Sequence, residues 1–110
     1  MKKIDQDAAR AFAMGENFSR SNTQVHVYPG YTEMTLHGNK IAERIPGKDY
    51  ISLSNAGWQT STTKSRLNAI LAQYGKVRIY QTKFEWFIDL PSKKTTEIFP
   101  VNEFYEVNIA

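Results

Sequence analysis

The chain has 110 residues, of which 41% are hydrophobic and 23% charged, a composition typical of one globular domain and not of a disordered segment. It contains no cysteine, which excludes disulfide bonds, thiolate metal sites and a cysteine nucleophile. The net charge of +3 permits an acidic or nucleic-acid partner without requiring one, because strong electrostatic binders cluster far more Lys and Arg.

Neither a secretory signal nor a membrane span is predicted. The first residues, Met1 to Asp5, contain two lysines and an acid but no apolar run, and no cleavage site of small residues follows. Nowhere do about eighteen apolar residues run together. We therefore expect a cytoplasmic protein.

The first predicted element is a helix over residues 5–18. Its apolar face is thin, since alanines bury little area, and a polar connection follows it. The residues that recur at helical spacing are Ile4, Ala8, Ala11, Phe12 and Gly15.

From Thr23 onward, hydrophobic residues recur at every second position, which predicts the strands of an antiparallel meander. The turns are expected at Pro29-Gly30, Gly38-Asn39 and Pro46-Gly47-Lys48-Asp49. The predicted strands cover residues 25–28, 31–37, 40–45 and 50–54.

A second helix is predicted after this meander. Ser61 or Thr62 caps its start and Gly75 ends it. Its buried stripe consists of Leu67, Ile70, Leu71 and Tyr74, at i, i+3, i+4 and i+7.

Residues 76–90 are predicted to form a hairpin with its turn at Thr82-Lys83. In this register Ile79 lies opposite Trp86, Val77 opposite Ile88, Arg78 opposite Phe87, Tyr80 opposite Glu85 and Lys76 opposite Asp89. A longer loop stays open as an alternative, because Thr-Lys lacks the Gly or Asn that a two-residue turn prefers.

The last segment is too apolar to remain solvated, and we expect β structure near residues 104–109. It packs either on the sheet or on a partner, for example in a homodimer through residues 98–109. The predicted fold is therefore α+β: an antiparallel sheet of about five to seven short strands with two flanking helices. We expect a single domain over 1–110, with a helix and linker at 1–22, a core at 23–90 and the apolar segment at 91–110.

One segment combines an aromatic ring, hydroxyl groups and two bases around the start of the second helix. Free backbone N–H groups, hydroxyls and cations are the groups that bind a phosphate or carboxylate there, and an indole can stack on a base. The alternative is ordinary capping, with the tryptophan in the core and the bases solvated. The candidate nucleic-acid or anion site consists of Trp58, Thr60, Thr62, Thr63, Lys64, Arg66 and Asn68.

A second candidate surface lies on the predicted hairpin, where aromatic rings and bases share one face as on a single-strand platform. If the first helix or the last segment covers that face, it is part of the core instead. Its residues are Lys76, Arg78, Tyr80 and Phe87.

No catalytic, metal or cofactor site is predicted. His26 and His37 lie on neighbouring strands, and Glu33 is the only carboxylate expected near them, which is too little for a metal or an acid–base pair. Each glycine stands alone at a turn or a cap, so no phosphate-binding loop is present.

Three stretches of sequence resemble a pattern found in small hypothetical proteins of bacteriophages and related mobile elements. They are Asn22-Thr23-x-Val25, Leu36-His37-Gly38-Asn39-x-Ile41-Ala42 and Gly57-Trp58-x-Thr60-x-Thr62-Thr63-Lys64-x-Arg66-Leu67-Asn68. The similarity spans about residues 8–88. It implies a phage origin, with the host cytoplasm as location, and it implies no site residues.

These observations favour an accessory protein that binds and does not catalyse. The first hypothesis is contact with nucleic acid through residues 58–68. The second is a protein-binding module that inhibits or modulates a host or defence complex. No membrane partner and no cofactor are expected.

Overall fold

A computed structural model describes residues 2–75, 78–90 and 95–109 of the chain. These residues form two α-helices and nine strands. The helices are α1 (Lys3–Met14) and α2 (Ser61–Gln73). The strands are β1 (Phe18–Arg20), β2 (Thr23–Tyr28), β3 (Tyr31–Leu36), β4 (Asn39–Arg44), β5 (Tyr50–Leu53), β6 (Ile79–Thr82), β7 (Glu85–Leu90), β8 (Thr95–Ile98) and β9 (Tyr105–Asn108).

The strands form two antiparallel sheets. The larger has the order β1-β2-β3-β4-β5-β9, a meander closed by the last strand, and the smaller has the order β6-β7-β8. The helices pack on each other, α1 also contacts β2 and β3, and α2 contacts β4 and β6, so both sheets share one hydrophobic core. The predicted α+β class is confirmed, although β1 and β8 add strands that the sequence pattern did not indicate.

Helix α1 ends four residues earlier than predicted. Gly15 adopts a left-handed backbone with φ of +70°, and the N–H groups of Gly15 and Glu16 bond to the carbonyls of Phe12 and Ala11. Glycine is favoured at this position because it has no Cβ to clash. Phe18, predicted as the last helical residue, begins β1 instead.

Three of the four residues in the predicted stripe of α2 are buried, whereas Tyr74, the C-cap residue after Gln73, is only half-buried. Leu67, Ile70 and Leu71 have no exposed surface, and Gly75 follows the helix with φ of +67°. The capping residue differs from the prediction, since Thr60 takes this role instead of Ser61 or Thr62. No helix within the described ranges is long and apolar enough to cross a membrane.

The β6–β7 hairpin turns one residue later than predicted, at Lys83-Phe84. Both residues have positive φ, 50° and 70°, so a two-residue turn forms without glycine. Ile79 therefore lies opposite Ile88 and Tyr80 opposite Phe87, while Trp86 faces Gln81. Moving the turn by one residue shifts the pairing by two, so Ile79, Trp86 and Ile88 keep the predicted buried face. The predicted partners Lys76 and Val77 lie outside the described residues.

The apolar segment forms β structure as predicted. Strand β9 pairs with β5, and Val107 is buried opposite Ile51. Phe99, also buried, contacts Trp86 and Tyr105 with ring centroids 6.1 and 5.8 Å away, which joins the two sheets. Burial, together with a hydrogen bond to Glu97, raises the pKa of Tyr105 to about 12, so its hydroxyl stays protonated and keeps donating at alkaline pH where an ordinary tyrosine, with a pKa of about 10, begins to ionise. A homodimer through residues 98–109 stays a prediction.

Replacing Leu71 with Ala should lower the free energy of unfolding by about 2–5 kcal/mol, because it leaves a cavity among side chains that cannot collapse fully. Urea denaturation followed by circular dichroism measures this loss. Gln73→Ala, at an exposed position of the same helix, is the matched control and should change stability by less than about 0.5 kcal/mol. Equal stability of both variants would contradict the packing of α2 described above.

Candidate functional site

A groove of about 500 Å³ lies between the β3–β4 turn and the start of α2. One wall comes from the end of β3, the turn and the start of β4. The other comes from the loop after β5 and the first turn of α2. The lining residues are Leu36, His37, Asn39, Ile41, Asn55, Trp58, Thr60, Thr62 and Thr63.

The β3–β4 turn directs His37 to the groove. It is a two-residue turn at His37-Gly38 with φ of +52° and +79°, one residue before the predicted Gly38-Asn39 turn. His37 therefore leaves the strand face on which the sequence pattern placed it beside Glu33. Its backbone N–H bonds to the carbonyl of Asn22 at 2.8 Å, which ties this turn to the β1–β2 turn.

Asn55 holds the loop that carries Trp58. Its side-chain oxygen accepts from the N–H groups of Gly57 and Asn102, at 2.9 Å each, and its amide nitrogen donates to the carbonyl of Pro100. The backbone N–H of Trp58 bonds to the carbonyl of Asn55 at 2.8 Å. The fully buried Asn55 thus fixes the loop, while Trp58 remains 59% exposed.

The first turn of α2 supplies the hydroxyl groups. Thr60 caps the helix by accepting from the N–H of Thr63 at 3.2 Å, and the two hydroxyls lie 2.9 Å apart. This capping follows the general preference for Thr at a helix start. Four of the predicted site residues, Trp58, Thr60, Thr62 and Thr63, therefore line one groove.

Arg66, predicted to project beside Lys64 at the start of α2, is directed into the protein instead. Only 4% of Arg66 is exposed, and its guanidinium pairs with Asp5, which has no exposed surface. It also donates to the hydroxyl of Thr23 at 2.8 Å and to the side-chain oxygen of Asn22 at 3.3 Å. The prediction that Arg66 faces a ligand is wrong, because a buried carboxylate needs a buried cation.

Lys64 and Asn68 also lie away from the groove. The ammonium group of Lys64 is 6.0 Å from the ring centroid of Trp86, on the side of the smaller sheet. The amide of Asn68 donates to the carbonyl of Ile79 at 3.0 Å and accepts from its N–H at 2.6 Å. With these two hydrogen bonds, Asn68 takes the place of a neighbouring strand at the open edge of β6.

The second candidate surface is a row of half-buried rings on the smaller sheet. Tyr80 and Phe87 stack with ring centroids 5.7 Å apart, and the guanidinium of Arg78 lies 5.3 Å from the ring of Tyr80. Ile98, 63% exposed, continues the row as the partner of Phe87. Lys76, the other base predicted here, lies outside the described residues. Nucleic-acid contact through this surface stays a prediction.

The groove combines apolar walls with uncharged hydrogen-bonding groups. Leu36, Ile41 and Trp58 supply apolar surface, while the threonines and Asn39 supply hydroxyl and amide groups. Among the residues that the structure describes, no Lys, Arg, Asp or Glu lines it. Nor does any group of three His, Asp or Glu side chains in the described ranges have metal-binding geometry. Such a site favours a neutral, largely apolar group with hydrogen-bonding capacity.

Sequence reasoning missed the groove wall formed by Leu36, His37, Asn39 and Ile41, and also Asn55. Gly38 was the available signal for a turn at His37-Gly38. A two-residue turn with positive φ at both positions prefers glycine at its second position and tolerates histidine at its first. Placing the turn at His37-Gly38 takes His37 off the strand face, but no local pattern reveals which distant loop it meets.

Comparison with known proteins places the chain in a family. The family model of the Kyanoviridae Gp96 protein, a phage protein family of unknown function, matches residues 1–109. No curated protein and no solved structure matches. The predicted phage origin is confirmed, and the match extends beyond the predicted span of residues 8–88. The three-part sequence pattern stays a prediction.

Replacing Arg66 with Ala should cost about 3–5 kcal/mol of unfolding free energy, because it leaves the carboxylate of Asp5 buried without a partner. The double variant with Asp5→Ala should lose less than the two single variants together, by a coupling of about 0.5–3 kcal/mol. Urea denaturation of the four proteins measures this cycle. Lys3→Ala, which removes an exposed partner of Asp7, is the control and should cost under about 1 kcal/mol. Additive single effects would contradict the buried pair.

Proposed function

Because the chain belongs to the Kyanoviridae Gp96 family of phage proteins, we propose that it acts by binding a protein of the host cell through the groove beside Trp58. In this proposal the partner inserts an apolar side chain between the indole and the walls formed by Leu36 and Ile41. The bound protein is thereby inhibited or modulated, without chemistry at the site.

The observation that carries this proposal is the exposed indole of Trp58 beside an uncharged groove. Trp58 is 59% exposed although the loop that carries it is fixed by the buried Asn55. A rigid, exposed tryptophan next to a pocket is the typical anchor of a protein interface, because it buries a large area at little cost in conformational entropy. The threonines and Asn39 suit the polar rim that surrounds such an anchor.

The distribution of charge also favours a protein partner. Of the two bases predicted to contact phosphates, Arg66 is paired with Asp5 inside the core and Lys64 lies over Trp86. Arg20 pairs with Asp7, and Lys40 lies 2.6 Å from the carboxylate of Glu43. No Lys or Arg among the described residues lines the groove, so a backbone of phosphates finds no cation there, whereas a neutral side chain needs none.

Capture from a lysate of host cells tests this proposal. We expect the wild-type protein to retain a specific host protein that survives nuclease treatment and moderate salt. Trp58→Ala should abolish the capture. Phe84→Ala is the matched control, since Phe84 is 86% exposed but does not line the groove.

The outcome of this comparison separates the hypotheses. Equal capture by wild type and Trp58→Ala would contradict the groove as the interface. Loss of capture on nuclease treatment would favour a nucleic-acid partner instead.

Contact with single-stranded nucleic acid is the second candidate function. It is supported by the same exposed indole, next to the hydroxyls of Thr60 and Thr62, because an exposed ring can stack on any base. This hypothesis predicts that a short oligonucleotide changes the fluorescence of Trp58 and that Trp58→Ala loses about 1–3 kcal/mol of binding free energy.

Titration of the oligonucleotide at two salt concentrations measures the charge contribution. Each phosphate contact adds roughly 0.7 to the magnitude of the slope of log affinity against log salt. Lys64→Ala, at a partly exposed base, should reduce this slope if Lys64 takes part. Absence of binding in low salt would exclude this candidate.

A further inference from the structure

His37 stands at the rim of the groove and is linked to the buried ion pair through Asn22. Its Nε2 atom lies 3.4 Å from the Nδ2 atom of Asn22. Asn22 in turn contacts Arg66 and Thr23 through its Oδ1 atom, at 3.3 and 2.8 Å. A groove residue is therefore joined through Asn22 to groups inside the core.

The orientation of the Asn22 amide follows from the chemistry of its neighbours. A guanidinium only donates hydrogen bonds, so the atom of Asn22 that faces Arg66 must be the oxygen. The hydroxyl of Thr23 accepts from Arg66 at 2.8 Å, so its own hydrogen is free to go to the same oxygen. Both donors fix the amide with its NH₂ group toward His37.

The tautomer of His37 follows from this orientation. An NH₂ group donates, so the Nε2 atom of His37 must be the acceptor and carries no proton. In a neutral imidazole the proton then lies on Nδ1. Within the described ranges no hydrogen-bond partner contacts Nδ1, and His37 is an exposed residue that lines the groove.

We propose that His37 determines the specificity of the groove: held as the Nδ1–H tautomer by Asn22, it presents an N–H donor to the bound group. The group that binds therefore has an apolar part against Trp58 and a hydrogen-bond acceptor beside it, as a side chain next to its backbone carbonyl does. This inference rests on the proposed function, because it requires that the groove binds such a group.

The tautomer is measured directly by long-range ¹H–¹⁵N NMR at a pH well above the usual histidine pKa of about 6.5. The chain has two histidines, so His26→Gln leaves His37 as the only imidazole. We expect the Nδ1–H tautomer in this protein and a mixture of both tautomers when Asn22→Ala is added. A predominant Nε2–H tautomer before that change would overturn the proposal.

The preference for an acceptor is tested with two ring fragments of nearly equal shape. Acetophenone carries a carbonyl oxygen where α-methylstyrene carries a CH₂ group. We expect acetophenone to shift the NMR signals of the groove with roughly two- to tenfold higher affinity, the range of one net hydrogen bond. His37→Gly, which removes the imidazole and tolerates the positive φ, should abolish this difference.

The result also separates this inference from the proposed function. Equal binding of both fragments to the wild type, or an unchanged preference in His37→Gly, would overturn the inference and leave the groove as a binding site. Absence of any shift with both fragments would overturn the proposed function, and the inference with it.

Discussion

The carboxylate of Asp5 lies without exposed surface in the first turn of α1, and its contacts determine how the rest of the chain is arranged. It pairs with Arg66 of α2 and accepts a hydrogen bond from Ser65 at 2.5 Å. The arginine extends the network to the β1–β2 turn through Asn22 and Thr23. Helix α1 buries mainly alanines, so its apolar face alone specifies its position only weakly. The ion pair between Asp5 and Arg66 also fixes where α1 packs against α2.

This network also explains why charge in the sequence was a poor guide to the candidate site. Arg66 lies between Ser65 and Leu67 in a segment rich in hydroxyls, so its local context is that of a surface helix start. Its partner Asp5 is 61 residues away in sequence, and no local period reveals that the two meet. A base close to a helix start is available to a ligand only if it does not form an ion pair with a buried acid.

Elements with strong local signals were predictable from the sequence. The stripe of α2 and the alternation of β2 to β5 follow from periodicity, and the apolar character of residues 104–109 indicated an ordered strand. The errors lie at positions where backbone geometry overrides propensity. Lys83-Phe84 forms a left-handed turn without glycine, and His37 occupies the left-handed position before Gly38.

In the candidate site, too, some features have a local sequence signal and others do not. Trp58 and the threonines were identified because they are contiguous in sequence with the start of α2. The opposite wall from the β3–β4 turn depends on tertiary packing of two segments, and the sequence pattern assigned His37 to another face. A hydroxyl-rich helix start was therefore visible from the sequence, whereas the apolar groove that it borders was not.

The pairing of β5 with β9 has a consequence for how the chain folds. Strands β1 to β5 follow one another closely, so each finds its neighbour soon after synthesis, but the second edge of β5 must wait for residues half a chain length away. Closing such a long loop is slow, and meanwhile Tyr50–Leu53 presents an unpaired, apolar strand edge. This edge exposes a partly synthesised chain to aggregation until β9 has been made.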